Sequence, residues 1–323
     1  MKKVTYLKAL NDAFHEEMRR DDKIIVFGED VAVDGGVFCV TKGLYEEFGP
    51  DRVMDTPVSE SAIVGGGLGA ALAGQRPVVE VMYTDFLLCA FNEVFHNVAK
   101  WRYLNGGQFE VPLVIRCAEG HSFGAGAEHS NCFASLLMHA PGLKIALPSN
   151  AYDAKGLLKT AIRENNPVIF LEHKQLYQQK GEVPDEEYTV PFGQAKICRE
   201  GSDVTIVALS FMVGRAMEAA EQLHSMNIEA EVIDPRTVAP LDMDTICESV
   251  KKTKRLVVLE EGNLTCGVGA EIASRVQAEV FDYLDAPIAR IAALDVPLPY
   301  NLTLEAYAIP QTHQVVEAVQ AML

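Results

Sequence analysis

Short apolar runs rich in β-branched residues alternate with longer helical patterns along the whole chain, and this alternation restricts the fold more than any other feature. The runs are almost continuously apolar, as in strands of a parallel sheet that is buried on both faces. The longer segments between them have the spacing of helices, which can cross over and cover such a sheet. The pattern therefore predicts an α/β fold built on parallel sheets.

The alternation occurs twice, with an interruption near the middle of the chain. Strands are predicted at Ile24–Gly28, Pro77–Met82, Val111–Arg116, Lys144–Leu147 and Pro167–Glu172, then at Val204–Leu209, Ala230–Ile233, Leu256–Glu260 and Ile288–Ala292. Helices are predicted at Leu7–Asp21, Ser61–Ala73, Phe86–Leu104, Cys132–His139 and Ala151–Glu164, then at Val213–Met226, Asp242–Thr253, Val268–Phe281 and Thr312–Met322. Residues 173–193 lack an apolar period, so we expect a linker there between domains at 1–190 and 191–323.

Composition excludes several classes of protein. A net charge of −17 argues against a surface that neutralises nucleic-acid phosphates. The seven cysteines are scattered without a CxxC pair, which is typical of small core residues in a reducing compartment. The N-terminus enters a charged amphipathic helix rather than a signal peptide, and no apolar stretch reaches the roughly 18 residues of a membrane span. We expect a soluble cytoplasmic protein that binds neither nucleic acid nor membrane.

Two glycine motifs suggest other activities. Gly65–Ala70 fits the GxGxxA dinucleotide fingerprint, but that fingerprint needs a strand leading into its first glycine, and the residues before it predict a helix. Nicotinamide binding therefore remains a weaker alternative. Gly120–Gly124 reads as GxSxG, yet no helix follows at once, as a hydrolase elbow requires. A flexible, glycine-rich active-site loop fits this segment better.

A series of ordered motifs covers nearly the entire chain. They are Gly-Glu-Asp-Val (28–31), Asp-Thr-Pro-Val-Ser-Glu (55–60), Glu-Val-Met-Tyr-Thr-Asp-Phe (80–86), Glu-His-Ser (128–130), Ala-Tyr-Asp-Ala-Lys-Gly-Leu (151–157), Ala-Ile-Arg-Glu-Asn-Asn-Pro (161–167), Pro-Phe-Gly (191–193) and Asp-Pro-Arg-Thr-Val-Ala-Pro-Leu-Asp (234–242). In this order they resemble the β subunits of thiamine-diphosphate-dependent pyruvate, branched-chain 2-oxo-acid and acetoin dehydrogenases. The resemblance implies a pyrimidine-type thiamine-diphosphate-binding domain followed by a transketolase-C-terminal-like domain.

The resemblance also implies roles for single residues. Glu60 matches the glutamate that faces N1′ of the cofactor's aminopyrimidine, where a carboxyl favours the imine tautomer that acts as the base. Phe86 matches the aromatic ring that packs on the aminopyrimidine, with Met82 nearby. His129 matches an active-site histidine, although here it follows Glu128, where the family more often has glutamine. From the residues alone, Glu60 could equally complement a helix dipole, and Phe86 could belong to an apolar helix face.

The family further has a potassium site built mostly from main-chain carbonyls. Position by position it would use Leu113, Ala161, Ile162, Glu164 and Asn166. The same residues also form an ordinary helix C-terminus, so this assignment rests on the resemblance alone.

One motif of this cofactor class is missing. The Gly-Asp-Gly segment that holds Mg²⁺ and the diphosphate does not occur in the chain. The resemblance therefore implies an α subunit that supplies this half, two α and two β chains, and a lipoyl acyltransferase core as acceptor. The expected reaction is decarboxylation of a 2-oxo acid such as pyruvate, or cleavage of acetoin, with acyl transfer to lipoate. A non-catalytic scaffolding or regulatory chain with the same fold is the alternative, and the substrate stays open.

Overall fold

Buried apolar runs form parallel strands in both halves of the chain, in a computed structural model that describes residues 1–323. Residues 1–119 and 136–192 form one unit, and residues 120–135 and 193–323 form another. The segment 120–135 thus groups with the later half of the chain, although it follows a strand of the earlier half. None of the helices combines the length and hydropathy needed to cross a bilayer.

The first unit contains a parallel sheet and a small antiparallel pair. Its strands are β1 (Lys2–Thr5), β2 (Ile24–Gly28), β3 (Val53–Asp55), β4 (Arg76–Val81), β5 (Val114–Glu119), β6 (Lys144–Ala146), β7 (Val168–His173) and β8 (Lys180–Val183). Within the unit the parallel order is β6-β7-β5-β4-β2-β3, and β1 pairs with β8. The helices are α1 (Tyr6–Arg20), α2 (Leu44–Phe48), α3 (Glu60–Leu72), α4 (Trp101–Leu104) and α6 (Ala151–Arg163), while the short α5 (Ala134–Met138) begins in the 120–135 segment.

The second unit has a five-stranded sheet in the order β14-β13-β10-β11-β9, in which only β9 is antiparallel. Its strands are β9 (Lys196–Arg199), β10 (Val204–Ala208), β11 (Ala230–Asp234), β12 (Thr237–Ala239), β13 (Leu256–Asn263) and β14 (Ala289–Ala293). Its helices are α7 (Met212–His224), α8 (Met243–Thr253), α9 (Val268–Val280), α10 (Leu302–Ala308) and α11 (Thr312–Gln320). The core lies between β10, β11 and β13 and the apolar faces of α7 and α11.

The continuous helix predicted over Phe86–Leu104 is wrong. The structure has a 3₁₀ helix at Thr84–Ala90, a π-helical stretch at Glu93–Val98 and then α4. Residues 87, 90, 94 and 98 are nevertheless all buried. Their three- and four-residue spacing shows which side faces the core, but it does not determine which backbone hydrogen bonds the segment makes.

Strand β5 begins three residues later than the predicted start at Val111. Pro112 has no N–H to donate to a ladder, so regular pairing starts beyond it. The segment 173–193 is also more ordered than its composition suggests, because β8 and a 3₁₀ turn at Lys174–Leu176 lie within it.

Candidate active site

The carboxyl ends of the parallel strands in the first unit lie at one edge of the sheet, and several candidate residues follow directly from them. Strand β3 ends at Asp55, whose carboxylate accepts the Ala32 N–H at 2.7 Å. The next residue, Thr56, donates its N–H to the Gly28 carbonyl at the end of β2, at 2.9 Å. These bonds fix the Asp-Thr-Pro-Val-Ser-Glu segment at the sheet edge where α/β folds place ligands.

Glu60 is the first residue of α3 and is half-buried at this edge. The following Ser61 donates its hydroxyl to the Cys89 carbonyl at 2.6 Å, which ties the start of α3 to the 3₁₀ helix after β4. The pKa of Glu29 is raised above its usual value. Burial is the largest cause, and the negative charge of the Glu60 carboxylate is the next. A carboxylate at a helix N-terminus among other acids can hold a proton on a ligand nitrogen.

Met82 and Phe86 follow β4 and are both half-buried. The 3₁₀ helix that carries Phe86 is held by Thr84, whose hydroxyl donates to the Ala118 carbonyl at 3.1 Å. Across the edge, the Thr56 hydroxyl is buried and has no hydrogen-bond partner in the protein. The structure thus brings Glu60, Met82 and Phe86 to one edge, with a carboxylate, an apolar surface and an unsatisfied hydroxyl. These are groups that an aminopyrimidine ring could engage.

A buried charged network lies under this edge and was not predicted from the sequence. The Arg116 guanidinium contacts both Glu172 carboxylate oxygens, at 2.6 and 2.7 Å, and Glu80 at 2.5 Å. The Tyr177 hydroxyl donates to Glu172 at 2.9 Å. Burial is the main cause of the raised pKa of Glu80. Acidic and basic residues spaced within buried strands were the signal that could have revealed this network.

His129 lies in the loop of residues 120–131, which groups with the second unit. At the start of this loop, the His121 N–H donates to the buried Glu261 carboxylate at 2.6 Å, and the His121 ring nitrogen Nδ1 lies 2.9 Å from the same oxygen. Further along, the Tyr300 hydroxyl donates to Glu128 at 2.5 Å. His129 itself is half-buried. Tyr300 was not singled out from the sequence, because nothing in its Pro-Leu-Pro-Tyr context indicates a contact 172 residues away.

The two glycine motifs take other structural roles. Gly65–Gly69 lies inside α3, without a strand leading into it, and a Cβ on Gly67 would lie 2.9 Å from side-chain methyls of Val79 and Leu113. This glycine therefore permits close packing of the helix on the sheet, and the nicotinamide alternative is not favoured. In the GxSxG segment the non-glycine residue with a positive φ is Phe123 rather than the serine, and no helix begins before α5.

The candidate potassium ligands lie around the C-terminus of α6. The carbonyls of Ile162 and Glu164 accept hydrogen bonds from the Arg76 guanidinium at 2.9 and 2.6 Å. The Leu113 carbonyl accepts the Val168 N–H at 2.9 Å. Two of the candidate carbonyls thus meet at the Arg76 guanidinium, which already supplies a positive charge there. The fit to a potassium ion is therefore partial.

Two domain-family models match the chain. The transketolase pyrimidine-binding domain matches residues 2–180, and the transketolase C-terminal domain matches residues 193–315. A solved structure, a split-gene transketolase described as an inactive β4 tetramer, superposes with a TM-score of 0.81 at 24% identity, over 99% of this chain and 98% of that chain. The chain thus has the two-domain α/β fold of the transketolase class.

Curated relatives narrow the class. The pyruvate dehydrogenase E1 component subunit β of Rickettsia felis is 51% identical over 98% of this chain and 97% of its own length. The acetoin:2,6-dichlorophenolindophenol oxidoreductase subunit β of Cupriavidus necator is 46% identical over 99% of this chain and 97% of its own. A mitochondrial pyruvate dehydrogenase E1 subunit β of Arabidopsis thaliana is 48% identical over 98% and 88%. The chain belongs to the family of E1 β subunits of the 2-oxo-acid and acetoin dehydrogenases.

Proposed function

We propose that this chain is the β subunit of a heteromeric, thiamine-diphosphate-dependent dehydrogenase that decarboxylates a 2-oxo acid such as pyruvate, or cleaves acetoin, and passes the acyl group to a lipoyl carrier. The observation that carries the proposal is the sheet edge at which Glu60, Met82 and Phe86 follow strands β3 and β4, where the buried Thr56 hydroxyl has no hydrogen-bond partner in the chain. Full-length similarity to both pyruvate and acetoin enzymes supports the reaction class and leaves both substrates as candidates.

When bound, thiamine diphosphate supplies a nucleophilic carbon and an electron sink for cleavage of the bond next to the carbonyl. Glu60, the first residue of α3, would bind the pyrimidine nitrogen through its carboxyl group and hold a proton there. Phe86 and Met82 would present apolar surface to the ring and keep water from its faces. His129 would hold or move a proton during acyl transfer, because an imidazole ring has one nitrogen that can donate a proton and one that can accept it.

An α subunit would complete the site. The chain has no Gly-Asp-Gly segment, so Mg²⁺ and the diphosphate would be held by the partner. Relatives named as β subunits support a partner chain. We propose two α and two β chains, with a lipoyl acyltransferase core as acceptor. Sedimentation of the co-expressed chains would give the stoichiometry, and a 1:1 dimer would contradict it.

The test is oxidation of pyruvate, branched-chain 2-oxo acids and acetoin by this chain co-purified with its α partner, using an artificial electron acceptor, with and without thiamine diphosphate. Glu60→Gln should abolish activity because the amide cannot hold the ring proton in the same way. Glu46→Gln is the matched control, since Glu46 is an exposed acid in the first turn of α2. If Glu60 only complemented a helix dipole, both variants would remain active, and the scaffolding alternative would replace the catalytic one.

A potassium ion on the Ala161–Asn166 segment is a separate proposal. It would need free lone pairs on carbonyls that already accept hydrogen bonds from Arg76. Potassium should raise the melting temperature of the chain more than sodium at equal ionic strength. Equal melting temperatures in the two salts would reject the site.

We also propose a cytoplasmic location, supported by seven cysteines that are all free in the structure. Cell fractionation would test it, and recovery from a membrane or secreted fraction would contradict it.

A further inference from the structure

The loop that carries His129 is held by the second unit at two points. At its start, the buried Glu261 carboxylate accepts the backbone N–H of His121 and lies beside the His121 ring. At its far end, Tyr300 binds Glu128, the residue directly before His129. The first contact is buried, whereas both partners of the second are exposed, so the second is the one that can open and close most easily.

Tyr300 contacts the loop backbone as well as Glu128. A Cβ added to Gly124 would lie 2.3 Å from the Tyr300 carbonyl oxygen, and one added to Gly126 would lie 2.2 Å from the Tyr300 ring. Both glycines also have positive φ, +68° and +80°. Each of these two positions therefore requires glycine for two reasons, which are the backbone conformation and the close approach of Tyr300.

The hydrogen bond itself is charge-assisted. The Tyr300 hydroxyl lowers the pKa of Glu128, and the same contact raises the pKa of Tyr300. The ionised carboxylate is thus the form that the phenol binds at neutral pH. A glutamine at this position would still offer an acceptor oxygen, but without the charge that strengthens the bond.

We propose that Tyr300 is a positioning residue, which closes the 120–131 loop through Glu128 and thereby sets the place of His129. This inference rests on the proposed function for the role of His129, while the contact between Tyr300 and the loop does not. Fixing the side chain of Glu128 restrains the backbone on one side of His129. Loss of the contact should let the loop open more often and place the imidazole less precisely.

Tyr300→Phe separates the hydrogen bond from packing, since the ring that contacts Gly126 remains. Tyr307→Phe is the matched control, because Tyr307 is a 77% exposed tyrosine on α10 whose hydroxyl makes no hydrogen bond. Glu128→Ala should behave like Tyr300→Phe, and Glu128→Gln should retain most of the wild-type behaviour. The double variant Tyr300→Phe/Glu128→Ala should be no worse than either single variant if the two residues act through one contact.

The first readout is chymotrypsin cleavage after Phe123, an 86% exposed aromatic residue in the loop, located by mass spectrometry in the full chain and in the α-containing complex. Tyr300→Phe should raise the cleavage rate about two- to tenfold, because exposure to solvent reduces a charge-assisted bond to the range of an ordinary hydrogen bond, and Tyr307→Phe should not raise it. An unchanged rate in Tyr300→Phe would refute the contact as the element that closes the loop, whatever the activity.

The second readout is steady-state kinetics of the complex with a lipoyl acceptor. Tyr300→Phe should lower kcat by a similar factor while KM for the 2-oxo acid and the melting temperature stay the same. Faster cleavage with an unchanged kcat would refute the positioning role. If His129→Ala retains full activity, the role proposed for His129 fails, and the cleavage rates still decide whether Tyr300 closes the loop.

Discussion

Replacement of Gly67 by alanine should destabilise the first unit, whereas the same replacement at Gly69 should stabilise it. Both residues lie inside α3. A Cβ on Gly67 would lie 2.9 Å from methyls of Val79 and Leu113, which are fully buried, whereas a Cβ on Gly69 would meet nothing within 4 Å. The pair therefore tests whether the glycine run exists for helix packing.

The magnitude follows from two opposing terms. Alanine favours a helix interior over glycine by about 1 kcal/mol, and this gain applies to both variants. Overpacking a filled core costs about 1–3 kcal/mol, and this cost applies to Gly67 alone. Gly69→Ala should therefore gain about 1 kcal/mol in the free energy of unfolding. Gly67→Ala should lie about 1–3 kcal/mol below Gly69→Ala, because the helix term cancels in the difference.

Urea unfolding followed by Trp101 fluorescence measures this difference, since the chain has one tryptophan and it lies in the first unit. The slope of the free energy with urea should be the same for both variants, so that the midpoints report stability. Equal midpoints for the two variants would refute the reasoning, because they would mean that α3 does not depend on close approach at Gly67.

Three further outcomes follow from contacts elsewhere in the chain. Arg116→Met should cost about 3–5 kcal/mol in urea unfolding, because it leaves the Glu80 and Glu172 carboxylates buried without their cation, and a silent variant would contradict the ion network. Burial raises the pKa of Glu260 from 4.5 to about 7, so the folded state binds that proton more tightly, and the free energy of unfolding should fall by about 3 kcal/mol as pH rises from about 4.5 to 7. Glu260→Gln should remove this decrease when the free energy of unfolding of both proteins is measured across the same pH range. The same decrease in the variant would show that Glu260 is not its cause. Asn150→Ala should cost about 1 kcal/mol in thermal unfolding, because the Asn150 side chain caps α6 with a 3.0 Å bond to a backbone N–H, whereas no loss would show that the cap is dispensable.

Strand positions were predictable wherever the chain is buried on both sides. The runs at Ile24–Gly28 and Val204–Leu209 are apolar except for Thr205, and β2 and β10 lie there almost residue for residue. Short edge strands such as β3 and β9 were missed, because three or four residues with mixed burial carry no period. An apolar sequence pattern indicates that a segment is buried. It therefore predicts the central strands of a sheet, but it does not predict short, partly exposed strands at the edge.

The candidate site was predictable only in part, and for a different reason. Motifs that lie close together in sequence, such as the 55–60 and 80–86 segments, carry the resemblance and also lie at one sheet edge. The Arg116 network and the Tyr300–Glu128 contact join residues far apart in sequence. Charged residues within apolar strands indicate a buried network, but no local pattern encodes which distant residues pair. These contacts became visible only once the fold had placed the strands and loops.

The grouping of the 120–131 loop with the second unit explains why its glycines cannot be interpreted locally. In the sequence, Gly124 and Gly126 suggest a flexible loop, because glycine restrains the backbone less than any other residue. In the structure they are positions where any side chain would collide with Tyr300, so the same residues that loosen the free chain allow a close contact in the folded one. If that contact sets the position of His129, the glycines, Glu128 and Tyr300 form one functional unit. Substituting any of them should then alter the loop before it alters the stability of either domain.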